Sequence, residues 1–374
     1  MNSASKYSSI IIPLFIIYLA LSPTIFVESG LLRFFPTLSL MFIAFFGVLS
    51  FHIGKKARMG TIISLLCIYM CIMSLIHSTY SDGVFITFLK STYWCWVYFI
   101  SYCIFSVKTF EKCKIDNYLL IITILFYCVF LYNHFTRNTF ELLEGDNSIF
   151  YSLMFLPWVS CSKSTTKKWI MLIIISICSV IALKRSGIII IANVLGILYY
   201  WDFLYKKKNP KQWILGIIII ISGILIYHTF LSSFSNVSQR FEMIEEDGGN
   251  GRETIYENVI ERYVASDIGS QLFGQGFNAV TQTDRTRALS AHNDFLEVLY
   301  DFGAIGFVFY ILIHLSLIKW TIRLFRRRNQ MAVPVLVSYI CFIVMSMVSH
   351  LILYPTYFGF LTSFWAFAEC NEYQ

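Results

Sequence analysis

Apolar runs of about twenty residues recur along this 374-residue chain, and no other feature constrains its fold as strongly. A helix of about 20 apolar residues crosses the hydrocarbon core of a bilayer. In lipid every backbone N–H and C=O must be satisfied within the protein. Repeated runs without strand-like alternation therefore predict membrane helices. They fall near residues 8–27, 34–53, 60–78, 84–106, 117–135, 148–161, 169–183, 186–203, 213–230, 294–318, 332–350 and 354–369, of which 148–161 and 354–369 are the shortest. Only Lys6 precedes the first run and no small-residue cleavage site follows it, so it is expected to remain as a span rather than leave as a signal peptide. The expected fold is all-α: a polytopic integral membrane protein of about twelve transmembrane helices. Composition agrees, since 57% of residues are hydrophobic and only 14% charged, too few to cover soluble domains of this size.

The formal net charge is +7, yet its placement points away from nucleic acid. With the N-terminus inside, the cytoplasmic connections collect Lys6, Lys55, Lys56, Arg58, Lys108, Lys112, Lys114, Lys163, Lys167, Lys168, Lys206, Lys207, Lys208, Lys211, Lys319, Arg323, Arg326, Arg327 and Arg328. This is the asymmetry that the positive-inside rule requires, with both termini cytoplasmic. The ten cysteines sit within spans or on the basic side, without CxxC or Cys/His metal spacing, and are expected as buried reduced thiols. The polar residues are invested mainly in one outer segment. We therefore expect transmembrane helices 1–9 over residues 1–230, a periplasmic loop domain over 231–293, and helices 10–12 over 294–374.

Three clusters of polar residues stand out on that outer face. In the loop, Arg252 to Val264 reads as an amphipathic helix, with Ile255, Tyr256, Val259, Ile260, Tyr263 and Val264 on one stripe, after the flexible Gly248-Gly249-Asn250-Gly251. Arg252 in its first turn opposes the helix dipole, so a local structural reason for it is weak. Beside free backbone N–H groups it could receive an anion such as phosphate, or be simply solvated. Secondly, Lys184-Arg185-Ser186-Gly187 interrupts the apolar stretch from Trp169 to Trp201 at an outer edge, against the positive-inside trend. These two cations mark either a tight turn with snorkelling side chains or a clamp for an anionic lipid headgroup. Thirdly, Asp294, Glu297 and Asp301 share one helix face where the loop enters the tenth span, and acids in a first turn suit the helix dipole. His292 just before them is either a cap or a general base whose imidazole a carboxylate orients. The other histidines (His52, His77, His134, His228, His314 and His350) are scattered at span ends and form no ligand cluster.

The run from Ser290-Ala291-His292-Asn293-Asp294-Phe295-Leu296-Glu297 to Asp301-Phe302-Gly303-Ala304-Ile305-Gly306 resembles the signature of the O-antigen ligase and O-antigen polymerase superfamily. Upstream, Lys184-Arg185-Ser186-Gly187 is similar to the arginine turn of that family. Gly251-Arg252 with Ile255-Tyr256 and then Leu272-Phe273-Gly274-Gln275-Gly276-Phe277 is similar to its outer-loop pattern, with Tyr256 where members often carry Trp. The resemblance implies a GT-C-like glycosyltransferase that needs neither metal nor cofactor. Its partners would be undecaprenyl-diphosphate-linked oligosaccharides, as donor and acceptor, at the periplasmic face of a bacterial inner membrane. It further implies that Arg185 and Arg252 bind the diphosphate and that His292 takes the proton of the attacking hydroxyl. Lys184 is an adjacent cation, and Asp294 and Glu297 are expected among the substrate-binding residues. Membrane lipid and a chain-length regulator protein are the other expected partners.

Within that superfamily a polymerase joins repeat units on lipid carriers, whereas a ligase transfers the finished chain to lipid A–core. The compact chain, rich in Ile, Phe and Tyr, resembles the polymerases. A flippase or transporter of lipid-linked oligosaccharide would instead need polar sites at mid-membrane depth. Lys90, the main exception to apolar spans, lies near the outer end of its span, where a lysine can snorkel.

Overall fold

The computed structural model describes residues 58–77, 84–106, 115–136, 147–182, 184–205, 252–282 and 290–372. The expected spans 8–27, 34–53 and 213–230 lie outside the described residues, as does most of the loop before Arg252. Among the described residues the chain is helical throughout, without strands. Its helices are α1 (Arg58–Ile76), α2 (Val84–Phe105), α3 (Ile115–Thr136), α4 (Ile149–Ser160), α5 (Thr165–Ile181) and α6 (Arg185–Tyr199), the last continued by a π-helical turn over Tyr200–Tyr205. After the outer segment come α7 (Arg252–Ala265), α8 (Ile268–Phe273), a 3-10 turn over Ala279–Gln282, α9 (Asp294–Arg326), α10 (Ala332–Val348) and α11 (Pro355–Asn371).

Every expected span that falls on described residues coincides with one of these helices. Four of them (in α1, α3, α6 with its π turn, and α9) are long and apolar enough to cross a membrane. The two shortest runs have a different character. All twelve residues of α4 are buried, and α11 is buried on nearly every side against α2, α4 and α10. A helix that is apolar all round belongs inside a bundle, which explains why these two runs lack a polar face. Conversely Leu65, Ile68, Ile72 and Leu75 of α1 and Ile170, Ile173, Ile177 and Val180 of α5 are exposed at helical spacing. Such outward apolar stripes are costly in water and natural against lipid tails.

Polar anchors close the bundle at the end that carries the Lys and Arg clusters. Glu369 accepts the Met59 N–H at 3.0 Å and the Tyr98 hydroxyl. Lys168 and Asp202, both buried, pair at 2.6 Å. Glu372 accepts from the Trp320 indole at 2.9 Å and from Arg327 at 3.4 Å. All nine described cysteines are free.

The opposite end is organised by a break in α9. Gly303 has φ 65° and ψ −173°, outside helical values, so the carbonyls before it lose their helical partners. The preceding loop takes them over: the Gln275 N–H donates to the Tyr300 carbonyl at 3.1 Å and the Gly276 N–H to the Asp301 carbonyl at 2.8 Å. Tyr69 of α1 closes the joint, its hydroxyl lying 2.8 Å from the Phe302 carbonyl and 3.0 Å from that of Phe273. The two backbones are so close that a Cβ on Gly274 would stand 2.3 Å from the Asp301 carbonyl oxygen, and one on Gly303 would stand 2.4 Å from that of Leu272. The Leu272–Phe277 pattern is therefore a wedge that locks the outer segment onto the kinked helix. The Asp301 carboxylate completes it by accepting the N–H groups of Asn278 at 2.6 Å, Ala279 at 2.9 Å and Val280 at 3.4 Å.

Helix α7 begins at the residue expected and ends one residue later, at Ala265, and only part of its apolar stripe is buried within the protein. Ile255 and Val259 are buried in a small outer core with Ala279, Val280, Ala291 and Tyr300. Ile260 and Val264 of the same apolar stripe are exposed. The reason is geometric: α7 lies against α8 and α9 along one narrow seam, which only positions 255 and 259 reach fully.

Candidate active site

The packing of α7 on the start of α9 carries Arg252, the first residue of α7, toward the turn before α9. That turn runs from Ser290 to Asn293 and places His292 at its vertex, with φ 52°. A left-handed conformation is unusual for a residue with a Cβ and persists only when the surroundings impose it. They do so at each neighbour. Glu297 accepts the Ala291 N–H. Asn293 is the N-cap of α9, its Oδ1 accepting from Phe295 N at 2.9 Å and Leu296 N at 3.3 Å. Ser290 Oγ lies 3.1 Å from His350 Nδ1.

Lys184 is the N-cap residue of α6, and Arg185 opens that helix. The Arg185 side chain lies outside the described residues. The charges of Arg252 and Lys184 both reach His292. Burial first, then Arg252, then Lys184 push its imidazole down from 6.5 to about 4. Three elements distant in sequence thus meet at one place: the turn before α6, the start of α7 and the turn before α9. An imidazole so placed is neutral at ordinary pH and able to accept a proton. The two cations beside it suit a ligand with concentrated negative charge.

The expectation that Asp294 and Glu297 contact substrate is not met by their placement, since both are fully buried at 0% exposure. Asp294 accepts the N–H of Leu351 at 2.9 Å, that of Ile352 at 3.3 Å and the Tyr310 hydroxyl at 3.0 Å. Glu297 holds the Ala291 N–H, directly behind His292. The two acids tie down the turns that form the site. Their position in the first turn of α9 was legible from the sequence, but their partners were not, because these lie on other segments.

His350 is the residue that sequence reasoning passes over. Rather than standing apart at a span end, it packs at a tilt against His292, with ring centroids 4.7 Å apart and 31° between planes. Tyr354 also stacks on His350, at 4.6 Å and 21°. No spacing signal links positions 292 and 350, which come together only through the fold of α9, α10 and α11.

Comparison with known families matches residues 170–311 to the family described as O-antigen ligase. The matched segment contains Lys184, Arg185, Arg252 and His292 and ends before His350. No curated protein matches the chain.

Proposed function

For a membrane protein whose residues 170–311 fall in the O-antigen ligase family, within the ligase and polymerase superfamily of glycosyltransferase-like enzymes, we propose the activity of an O-antigen polymerase. It would join undecaprenyl-diphosphate-linked repeat units at the periplasmic face of the inner membrane. The observation that carries the reading is the convergence of the Lys184 and Arg252 charges on a neutral, half-buried His292.

The chemistry follows from those groups. The acceptor hydroxyl oxygen attacks the anomeric carbon of the donor sugar, forming a new C–O bond as the bond to the lipid diphosphate breaks. The bonding electrons leave on the diphosphate, whose growing charge Arg252, Lys184 and Arg185 would stabilise. The hydroxyl proton passes to His292. A bound diphosphate also offsets the two cations that depress the imidazole, so the donor itself would make the base stronger. Asp294 and Glu297 serve this reaction by holding the turns of the site.

The description of the matching family favours a second reading, transfer of a finished chain to lipid A–core. Purified protein given only lipid-linked repeat units decides between them. A ladder of extended lipid-linked products supports the polymerase. Product formed only after lipid A–core is added supports the ligase.

A further inference from the structure

We propose that His350 is a positioning residue for His292, a second imidazole that fixes the ring plane of the base from outside the matched segment. The inference rests on reading His292 as that base. His350 lies on the turn between α10 and α11, and its own main chain is fastened from two sides. Asp294 accepts the N–H groups of Leu351 and Ile352, and the Tyr357 hydroxyl donates to the His350 carbonyl at 2.9 Å.

From this fixed backbone the imidazole makes two contacts with the segment that carries His292. Its Nδ1 lies 3.1 Å from Ser290 Oγ, and its ring packs at a tilt of 31° against that of His292, with centroids 4.7 Å apart. Tyr354 at 4.6 Å backs it, so His350 cannot swing away from His292 without unstacking from the tyrosine. The need for such support is specific. Rotation of a histidine ring about its last torsion is broad and weakly restrained. A general base must keep one ring nitrogen within hydrogen-bond reach of the proton it takes, and a misplacement of about 1 Å costs ~100-fold in rate.

His350 also excludes water from one side of His292. The groups facing the pair are Lys184 from the turn before α6, Arg252 from α7, Ser290 from the turn before α9 and Tyr354 from the turn before α11. Asp294 lies behind the turn, bound to its backbone. Burial, then His292, Arg252 and Lys184 hold the His350 imidazole down at about 3, so it adds no like charge beside the base.

The test uses the purified full-length protein and lipid-linked repeat units, comparing His350→Ala, His350→Phe and His292→Asn. The readouts are kcat, donor KM and the pH dependence of kcat/KM. His350→Ala is expected to lower kcat about 10- to 100-fold with donor KM nearly unchanged. Water entering beside His292 should also move the acid limb of the profile up toward the ordinary histidine value near 6.5. His350→Phe keeps a flat ring in the stack and is expected to recover most of the rate and the low acid limb. Purely structural damage would lower the amount of folded protein but would not move the limb. His350→Ala with wild-type kcat and an unmoved limb overturns the proposal. So does a His350→Phe protein that is folded and as slow as the alanine variant. Failure of the underlying reading looks different: there His292→Asn itself would be active.

Discussion

Replacing Asp294 by alanine separates a residue that builds the site from one that binds substrate. Its carboxylate accepts three donors in a fully buried place: Leu351 N–H, Ile352 N–H and the Tyr310 hydroxyl. Tyr310 keeps a second partner, Ser346 Oγ at 2.7 Å, so its hydroxyl is not orphaned by the change. The two N–H groups are. Each buried, unpaired donor costs roughly 1–3 kcal/mol, and removing the desolvated carboxyl returns part of that, leaving a net loss of about 2–4 kcal/mol. For a chain of this size that is on the order of 5 °C in the unfolding midpoint. Asparagine should restore most of it. Its side-chain oxygen can accept both N–H groups, as Oδ1 of Asp294 does now, while its NH₂ faces the Tyr310 and Ser346 oxygens. Thermal unfolding of the purified variants in detergent, with donor KM measured in parallel, checks this. We expect Asp294→Ala to unfold earlier, Asp294→Asn to unfold close to wild type, and both to bind donor with nearly unchanged KM. An alanine variant as stable as wild type that has lost donor affinity would refute the reasoning and return Asp294 to the substrate.

Three further outcomes follow from the geometry. Gly303→Ala should yield little folded protein in fluorescence-detected gel filtration, because its Cβ would meet the Leu272 carbonyl at 2.4 Å and φ is positive; normal yield and elution would contradict the wedge. Arg252→Lys should lose much of the activity and Arg252→Ala nearly all, at normal membrane levels, since a lysine keeps the charge without the forked geometry. The acid limb of kcat/KM should lie near pH 4, because the base must be neutral and its free-enzyme value is about 4; the limb of kcat should lie higher, since bound diphosphate offsets Arg252 and Lys184. Coincident limbs near 6.5 would show that neither burial nor these cations depress the base.

Much of this architecture could be read from the sequence because bilayer thickness dictates the length of apolar runs. Each run on described residues became a helix, and α7 begins at the residue expected. The three clusters around Lys184, Arg252 and His292 could be found one by one, as polar residues where apolar or anionic ones are the rule. What brings them together could not. The Gly274–Gly303 contact joins segments whose glycines announce only a turn and a flexible helix. His350 reaches His292 through a ring contact, an interaction that leaves no periodic trace between residues 58 positions apart. Asp294 and Glu297 show the same limit: acids in a first turn are explained locally by the helix dipole, so nothing in their spacing reveals that they hold distant backbone. Ile260 and Val264 show a further limit, for helical periodicity marks an apolar side without saying how much of it the protein itself covers.

The central claim is that His292 accepts the proton of the attacking hydroxyl, and His292→Asn tests it most directly. Asn293, not His292, is the cap of α9, and asparagine tolerates the left-handed backbone at position 292, so the variant should fold and keep the turn. It has no basic nitrogen near neutral pH. The measurement is the extension rate of lipid-linked repeat units by purified His292→Asn at saturating donor, with donor retention measured alongside. We predict a fall of about 10²–10⁴-fold in rate with donor still bound. Extension at close to the wild-type rate would contradict the account and leave Arg252 and Lys184 to explain catalysis without a base.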